Sequence, residues 1–282
     1  MRIGAKLPNS GPLPLEAGIP AMARTLEAAG YDSLWVSDHI VLPREIRSFY
    51  PFAADGRATW PTDTPYVDAL IALALAAAAT ERVRLGTAVL VLPLRNPVEL
   101  AKQAASIDVA SGGRLELGVG AGWLVEEFAA LGVPFERRGS RMVEWMELLR
   151  ACWTGTPPGR TSEFYELPDD ILALPTPAHD IPLLVGGHSP VALRRAGSVG
   201  DGWLAQQDAT ELDPADLERC IGVIGGRPRV VLRIVGSLNR ADAVAAALPA
   251  LEAAGVDEVI VDVPVDGDGA ARVHEHLRGV VE

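Results

Sequence analysis

The chain has 282 residues, 49% of them hydrophobic and 22% charged, with a formal net charge of −12, enough apolar mass for a sizeable core in one large domain. That negative balance argues against a nucleic-acid partner, which requires a positive footprint to release counterions, and against an anionic membrane surface. Two cysteines, Cys152 and Cys220, stand without a CxxC or a Cys/His cluster, so neither a metal site nor a disulfide is expected.

Eight short apolar or β-branched runs alternate with longer helical patterns. The first, Ile3–Leu7, lies where a signal peptide would be read and carries a strand pattern instead, so the chain is expected to be cytoplasmic. Leu15–Ala29 follows as a helix ending at Gly30, then the strand Ser33–Val36. Tyr66–Ala79 is a helix opened by Pro65; its apolar part, Ala69–Ala79, is too short to span a bilayer. The series continues with strand Arg84–Val89, helix Pro97–Ala110, strand Leu115–Val119 and helix Arg138–Trp153. It closes with Leu183–Val185, helix Val191–Val199, Gly202–Ala205, helix Pro214–Ile224, Val230–Val235, helix Ala241–Ala253, Glu258–Val263 and helix Ala270–Val281. Pro249 inside Ala241–Ala253 predicts a kink or break.

Eight strand–helix units with right-handed crossovers predict a (β/α)₈ TIM barrel formed as a single domain over residues 1–282; an open doubly wound sheet is the competing arrangement. Two connections exceed ordinary lengths. One follows the second strand, from Ile40 to Pro65, and the other precedes the fifth, from Gly155 to Ile181. At the carboxyl face of a barrel such insertions serve as lids and substrate walls.

Barrel chemistry sits just beyond the strand ends. After the second strand comes Ser37-Asp38-His39, a carboxylate beside an imidazole, able to hydrogen-bond a heteroaromatic ring or move a proton; a helix-capping Asp with a neighbouring His is the alternative. After the third, Gly86-Thr87-Ala88-Val89 allows a bulge or the approach of a flat ligand, with a plain twisted strand as the alternative. After the fourth, Gly118-Val119-Gly120-Ala121-Gly122 lacks the spacing of a dinucleotide fingerprint, yet lets backbone approach a ring at Gly120. After the fifth, Gly186-Gly187-His188-Ser189-Pro190 opens a helix whose free amides suit a phosphate. Trp60, in the first insertion, and Trp123, at the fourth strand's exit, are candidate substrate-binding walls. Trp145 and Trp153, at helical spacing, read as core; His179 reads as structural or exposed, and His274 and His276, two apart on a helix, as solvated.

Taken in order, Trp35-Val36-Ser37-Asp38-His39, Leu85-Gly86-Thr87-Ala88-Val89, Asn96-Pro97, Ser111-Gly112-Gly113-Arg114-Leu115, Leu117-Gly118-Val119-Gly120-Ala121-Gly122-Trp123, Gly186-Gly187 and Asp201-Gly202-Trp203 resemble the bacterial-luciferase-like oxidoreductases over nearly the whole chain. The resemblance implies a TIM barrel binding FMN or the deazaflavin coenzyme F420 at its strand ends, and a homodimer. The Ser-Asp-His looks like the F420-dependent branch. It implies that Asp38 contacts the deazaflavin and that His39, near the reacting face, is the catalytic proton donor or acceptor. It further implies a bulge at Thr87, Ala88 and Val89 with a cis Ala88–Val89 peptide under the middle ring, and a phosphate held by Gly186, Gly187 and His188.

By the same resemblance Trp123 stands where F420-dependent sugar-phosphate dehydrogenases carry an acidic residue, which argues against sugar-phosphate oxidation and leaves open a reductase delivering hydride to an unsaturated or imine-like acceptor. An FMN-dependent monooxygenase is the alternative on the same scaffold. A flavin-binding protein without turnover, and a lyase or isomerase acting on a phosphorylated substrate, are compatible with the residues alone.

Overall fold

The computed structural model describes every residue except Ala54, Thr59 and Glu282; the first two fall within the long insertion after the second strand. Among the described residues, eight parallel strands close into a barrel: β1 (Arg2–Lys6), β2 (Ser33–Val36), β3 (Arg84–Val91), β4 (Leu115–Gly120), then, beyond a small hairpin of β5 (Arg160–Thr161) and β6 (Glu166–Leu167), β7 (Leu183–Gly186), β8 (Gly202–Asp208), β9 (Arg229–Val235) and β10 (Glu258–Val261). Neighbours run β1-β10-β9-β8-β7-β4-β3-β2 and back to β1. The closed ring excludes the open doubly wound sheet.

Helices fill the crossovers: α1 (Ile19–Ala28), α2 (Ala69–Ala79), α3 (Pro97–Ser111), α4 (Val125–Ala130), α5 (Arg138–Trp153), α6 (Pro190–Val199), α7 (Pro214–Ile224), α8 (Ala241–Ala253) and α9 (Gly267–Val281). Local chemistry sets their ends. Asn96 caps α3 by accepting from the amides of Val98 and Glu99, Pro97 occupies the first turn, and Gly112 closes the helix at φ 70°.

Four expectations need correction. The helix expected from Tyr66 starts at Ala69, because Asp68 accepts from Leu70 N and Ile71 N as the cap while Val67 N donates to Asn9 O. The helix expected from Leu15 is a short π-helical turn, Pro14–Gly18, followed by α1, divided at Gly18 with φ 80°. Helix α8 runs through Pro249 without a break. His274 is not solvated: it packs edge-on to Tyr31 at 4.9 Å, in the space that a side chain at Gly30 would fill.

Inward-facing residues alternate along each strand and stack in layers. The amino-end layer is ionic. Glu258 takes hydrogen bonds or ion pairs from Arg2, Arg229, Ser33 and Trp35 Nε1, and Glu116 from Arg84 and Arg229. Above it lies an apolar layer of Trp35, Leu184, Leu204, Val231 and Ile260. The Trp35 ring crosses the lumen over Gly86, where a Cβ would lie 2.3 Å from a ring carbon. A Gly86→Ala variant is therefore expected to lose about 1–3 kcal/mol through overpacking, readable as a shifted urea midpoint at unchanged slope. The third layer, at the carboxyl ends, is polar and opens into a cavity.

Candidate active site

The cavity occupies about 900 Å³ at the mouth of the barrel, ample for a tricyclic ring with its chain. One wall is the end of β3. Between Thr87 and Leu90 the register with β4 slips by one residue, and the Ala88–Val89 peptide is cis. Val89 enters the cavity between two glycines: a Cβ on Gly120 or on Gly186 would come within 2.7 or 2.8 Å of its methyl groups. The bulge that the family resemblance implies is thus present, with Gly120 and Gly186 at its flanks. Thr87 does not share the wall. It is fully buried and its hydroxyl donates to Gly118 O at 2.7 Å, so it shapes the bulge from behind and does not line the cavity.

Asp38 and His39 line the cavity beside this wall. The Asp38 carboxylate is already engaged: one oxygen accepts from Val91 N at 2.9 Å, the other from Arg95 Nη2 at 2.6 Å. It thus ties the exit of β2 to the far side of the bulge. His39 Nδ1 lies 3.0 Å from Glu127 Oε2. The other oxygen of Glu127 accepts from Ile40 N at 2.6 Å and Val41 N at 3.2 Å. A buried carboxylate holding one imidazole nitrogen selects the tautomer and leaves the second nitrogen for the cavity. Glu126, the neighbour on α4, accepts from Arg47 N and Ser48 N. Two adjacent carboxylates on one short helix thereby fasten both the root and the middle of the insertion.

Sequence reasoning missed α4 and Glu127 altogether. The insertion they hold is aromatic: Trp60 and Trp123 lie 6.5 and 6.2 Å from His39, Tyr66 lies 5.6 Å from it, and Tyr50 bridges Trp60 and Trp123 at 5.0 Å from each. The two candidate tryptophans are thus brought together with His39, Trp123 edge-on to it and Trp60 tilted, in contacts that form an apolar roof.

At the other end, Gly186, Gly187 and Ser189 lead into α6, with Ser189 accepting from Ala192 N and Pro190 in the first turn. Arg138 and Arg195 also line this end. Neither has a carboxylate partner among the described residues; Arg138 Nε donates to Gly122 O, and Arg195 lies across Gly139. Burial, and for Arg195 also the charge of Arg138, lowers both pKa values. Two guanidiniums without a carboxylate partner among the described residues, lining the same cavity as the start of α6, could hold an anion. These arginines too escaped the sequence reading, although Arg194-Arg195 lies on the helix that the nominated glycines open.

His188 faces Trp203 and Phe52, and its Nε2 accepts from Gln206 N at 3.0 Å. Burial holds its pKa below the ordinary value, so the ring stays neutral with its proton on Nδ1. Asp216 and Cys220 offer a carboxylate oxygen and a thiol within 4.8 Å of this ring.

On the β1, β8 and β9 side the lining includes Lys6, Gln206, Arg233 and Val235. A flat heteroaromatic ring with an anionic chain fits this arrangement: Val89 and its glycines offer a platform, the arginine pair a place for phosphate. No helix among the described residues is long and apolar enough to cross a membrane.

A family model described as luciferase-like monooxygenase matches residues 7–259. An uncharacterized protein of Mycobacterium tuberculosis (strain ATCC 25618 / H37Rv) is 39% identical over 200 residues, 71% of this chain and 67% of that one. An F420-dependent glucose-6-phosphate dehydrogenase of Amycolatopsis mediterranei is 33% identical over 183 residues, 63% of this chain but only 50% of that protein. Among solved structures, an F420-dependent secondary alcohol dehydrogenase in complex with an F420–acetone adduct superposes with a TM-score of 0.76 at 18% identity, covering 100% of this chain and 99% of the other. At that identity the likeness is one of fold.

Proposed function

The chain belongs to the luciferase-like monooxygenase family, and from that premise we propose that it is a coenzyme F420-dependent oxidoreductase exchanging hydride with a small organic substrate. The observation that carries the reading is the Val89 platform with its glycine flanks, set between the arginine pair and the His39–Glu127 dyad. The bound deazaflavin would supply a carbon centre that gives or takes hydride and reacts poorly with oxygen. The chain's residues would do the rest. Val89 would support the ring, and Asp38, fixed by Arg95, would hold the bulge in shape beside it. The amides after β7, with Arg138 and Arg195, would hold the phosphate. His39 would move a proton at its free nitrogen while the aromatic roof excludes water.

The test is titration of the purified protein with F420 and with FMN, followed by fluorescence quenching. Saturable F420 binding is the expected result. Tight FMN binding without F420 binding would instead favour the FMN-dependent monooxygenase, and oxygen uptake with reduced FMN would identify it. Binding of neither would overturn the coenzyme reading.

The arginine pair makes a separate prediction. Replacing Arg138 or Arg195 by alanine should weaken F420 binding by about tenfold to hundredfold each, the worth of a charge-assisted hydrogen bond. Turnover at saturating coenzyme should stay near that of the unmodified enzyme. A fall in kcat without a change in affinity would place the pair elsewhere in the cycle.

A further inference from the structure

Of the chain's 25 basic residues only two, Lys6 and Lys102, are lysines. Lys102 lies on the exposed side of α3 and holds the Leu174 carbonyl. Lys6 ends β1 inside the barrel mouth, where it lines the cavity. Its Nζ donates to Leu7 O at 3.0 Å and to Asn9 Oδ1 at 2.9 Å, and among the described residues no carboxylate lies within ion-pair distance of it. The charged groups facing it are Arg233 on β9 and Asp262 just past β10, and these two pair with each other. A protonated Lys6 therefore leaves one positive charge in excess at this end of the cavity.

Burial first, then repulsion from Arg233, lowers its pKa from 10.5 to about 7, against the opposing pull of Asp262. An arginine would stay charged there; a lysine is the cation whose proton the cavity can govern. Two of its three ammonium protons are used by Leu7 and Asn9. The third has no partner among the described residues. The anchor also reaches the aromatic roof: Asn9 Oδ1 accepts from Ser37 N, the Ser37 hydroxyl meets the Tyr66 hydroxyl at 3.3 Å, and Tyr66 packs on His39.

We infer that Lys6 is the carboxylate-binding residue of the substrate subsite, and that the substrate is a flat unsaturated or aromatic acid. Its carboxylate would take the third ammonium proton, and its apolar body would lie against Tyr66 and the Trp60–Trp123 pair. The inference rests on the coenzyme reading only for which wall the ring occupies. An anion on Lys6 stabilises the ammonium form. Binding is thus fully expressed below the free amine's pKa of about 7 and weakens as pH rises through it, since the proton must then be taken up.

The probe is trans-cinnamate, titrated by calorimetry in phosphate buffer so that the arginine pair is already occupied. Between about pH 6 and about pH 8 the affinity of the unmodified protein should fall about tenfold. Lys6→Met should weaken binding at the lower pH by tenfold or more. Lys6→Arg should keep the affinity and lose its pH dependence. Melting curves establish that both variants fold. No cinnamate binding by the unmodified protein, pH-independent binding, or undiminished binding by Lys6→Met would each overturn the subsite. F420 titration of the same samples keeps the two ideas apart: intact F420 binding with any of those results sinks the subsite alone, whereas absent F420 binding with the expected cinnamate results sinks the coenzyme reading alone.

Discussion

The Glu258→Ala variant is expected to be the least stable single substitution in the barrel, by about 3–5 kcal/mol relative to the unmodified chain. Glu258 is fully buried at the amino end of β10, and four groups converge on it: Arg2 at 3.0 Å, Arg229 at 3.1 Å, Trp35 Nε1 at 3.1 Å and the Ser33 hydroxyl. Alanine leaves the guanidinium of Arg229 with Glu116 alone, and strips the buried indole N–H and the buried hydroxyl of their carboxylate. The charge pairing is not itself the main gain, because burying a carboxylate costs several kcal/mol before any partner is counted. What costs most is removing one member of a network whose other members remain. Replacing Glu258 and Arg229 together with methionine should therefore recover a large part of the loss. Urea unfolding of the single and double variants measures both, and additive effects in that cycle would show that the two residues do not share a network. Thermal midpoints should follow, with a drop of about 10 °C for the single variant.

How much of this was legible beforehand depends on the distance over which each feature is determined. All eight barrel strands announced themselves as short apolar runs, because a strand covered on both faces needs no alternation and shows none. Ends were less visible. Strand β3 continues past Val89 to Val91 across the bulge, and β8 continues through Gln206, which lines the cavity, and Gln207 to Asp208. A polar residue at a strand end reads as a loop until the site that uses it is known.

The placement of Ser37-Asp38-His39 was readable from its position after β2. The partners that define its chemistry were not, since Arg95 and Glu127 come 57 and 88 residues later. Helix α4 has six residues and no side-chain cap, so its Glu126-Glu127 looks like a solvated acidic pair in a first turn. Arg138 and Arg195 lie in arginine runs that resemble ordinary surface, and only the fold turns them toward one cavity. Lys6 carried a clue that periodicity does not register: a chain that uses arginine almost everywhere places one of its two lysines at the end of β1.

These omissions share a cause, and it bears on the catalytic role. His39 is offered to the cavity by a side chain on another element, so its contribution should depend on that side chain as much as on itself. Under the F420 reading, His39→Ala should lower kcat by about 10²–10³, the range for losing a positioned proton-transfer group, with little change in F420 affinity. Glu127→Gln is the sharper experiment. The amide keeps an oxygen for Ile40 N and Val41 N, so the insertion root stays fastened. It presents a donor in place of an acceptor to His39 Nδ1, which moves the ring proton to the nitrogen facing the cavity. Glu127 is thus a positioning residue. Its glutamine variant should lose about tenfold to hundredfold in kcat, keep KM for the coenzyme, and show a displaced pH profile that the unmodified enzyme and a surface control such as Glu218→Gln do not share. A purely structural role for Glu127 would lower stability and leave that profile in place. A His39→Ala enzyme with full turnover would remove the proton-transfer role from both residues, leaving the pair as no more than a fastening for the aromatic roof.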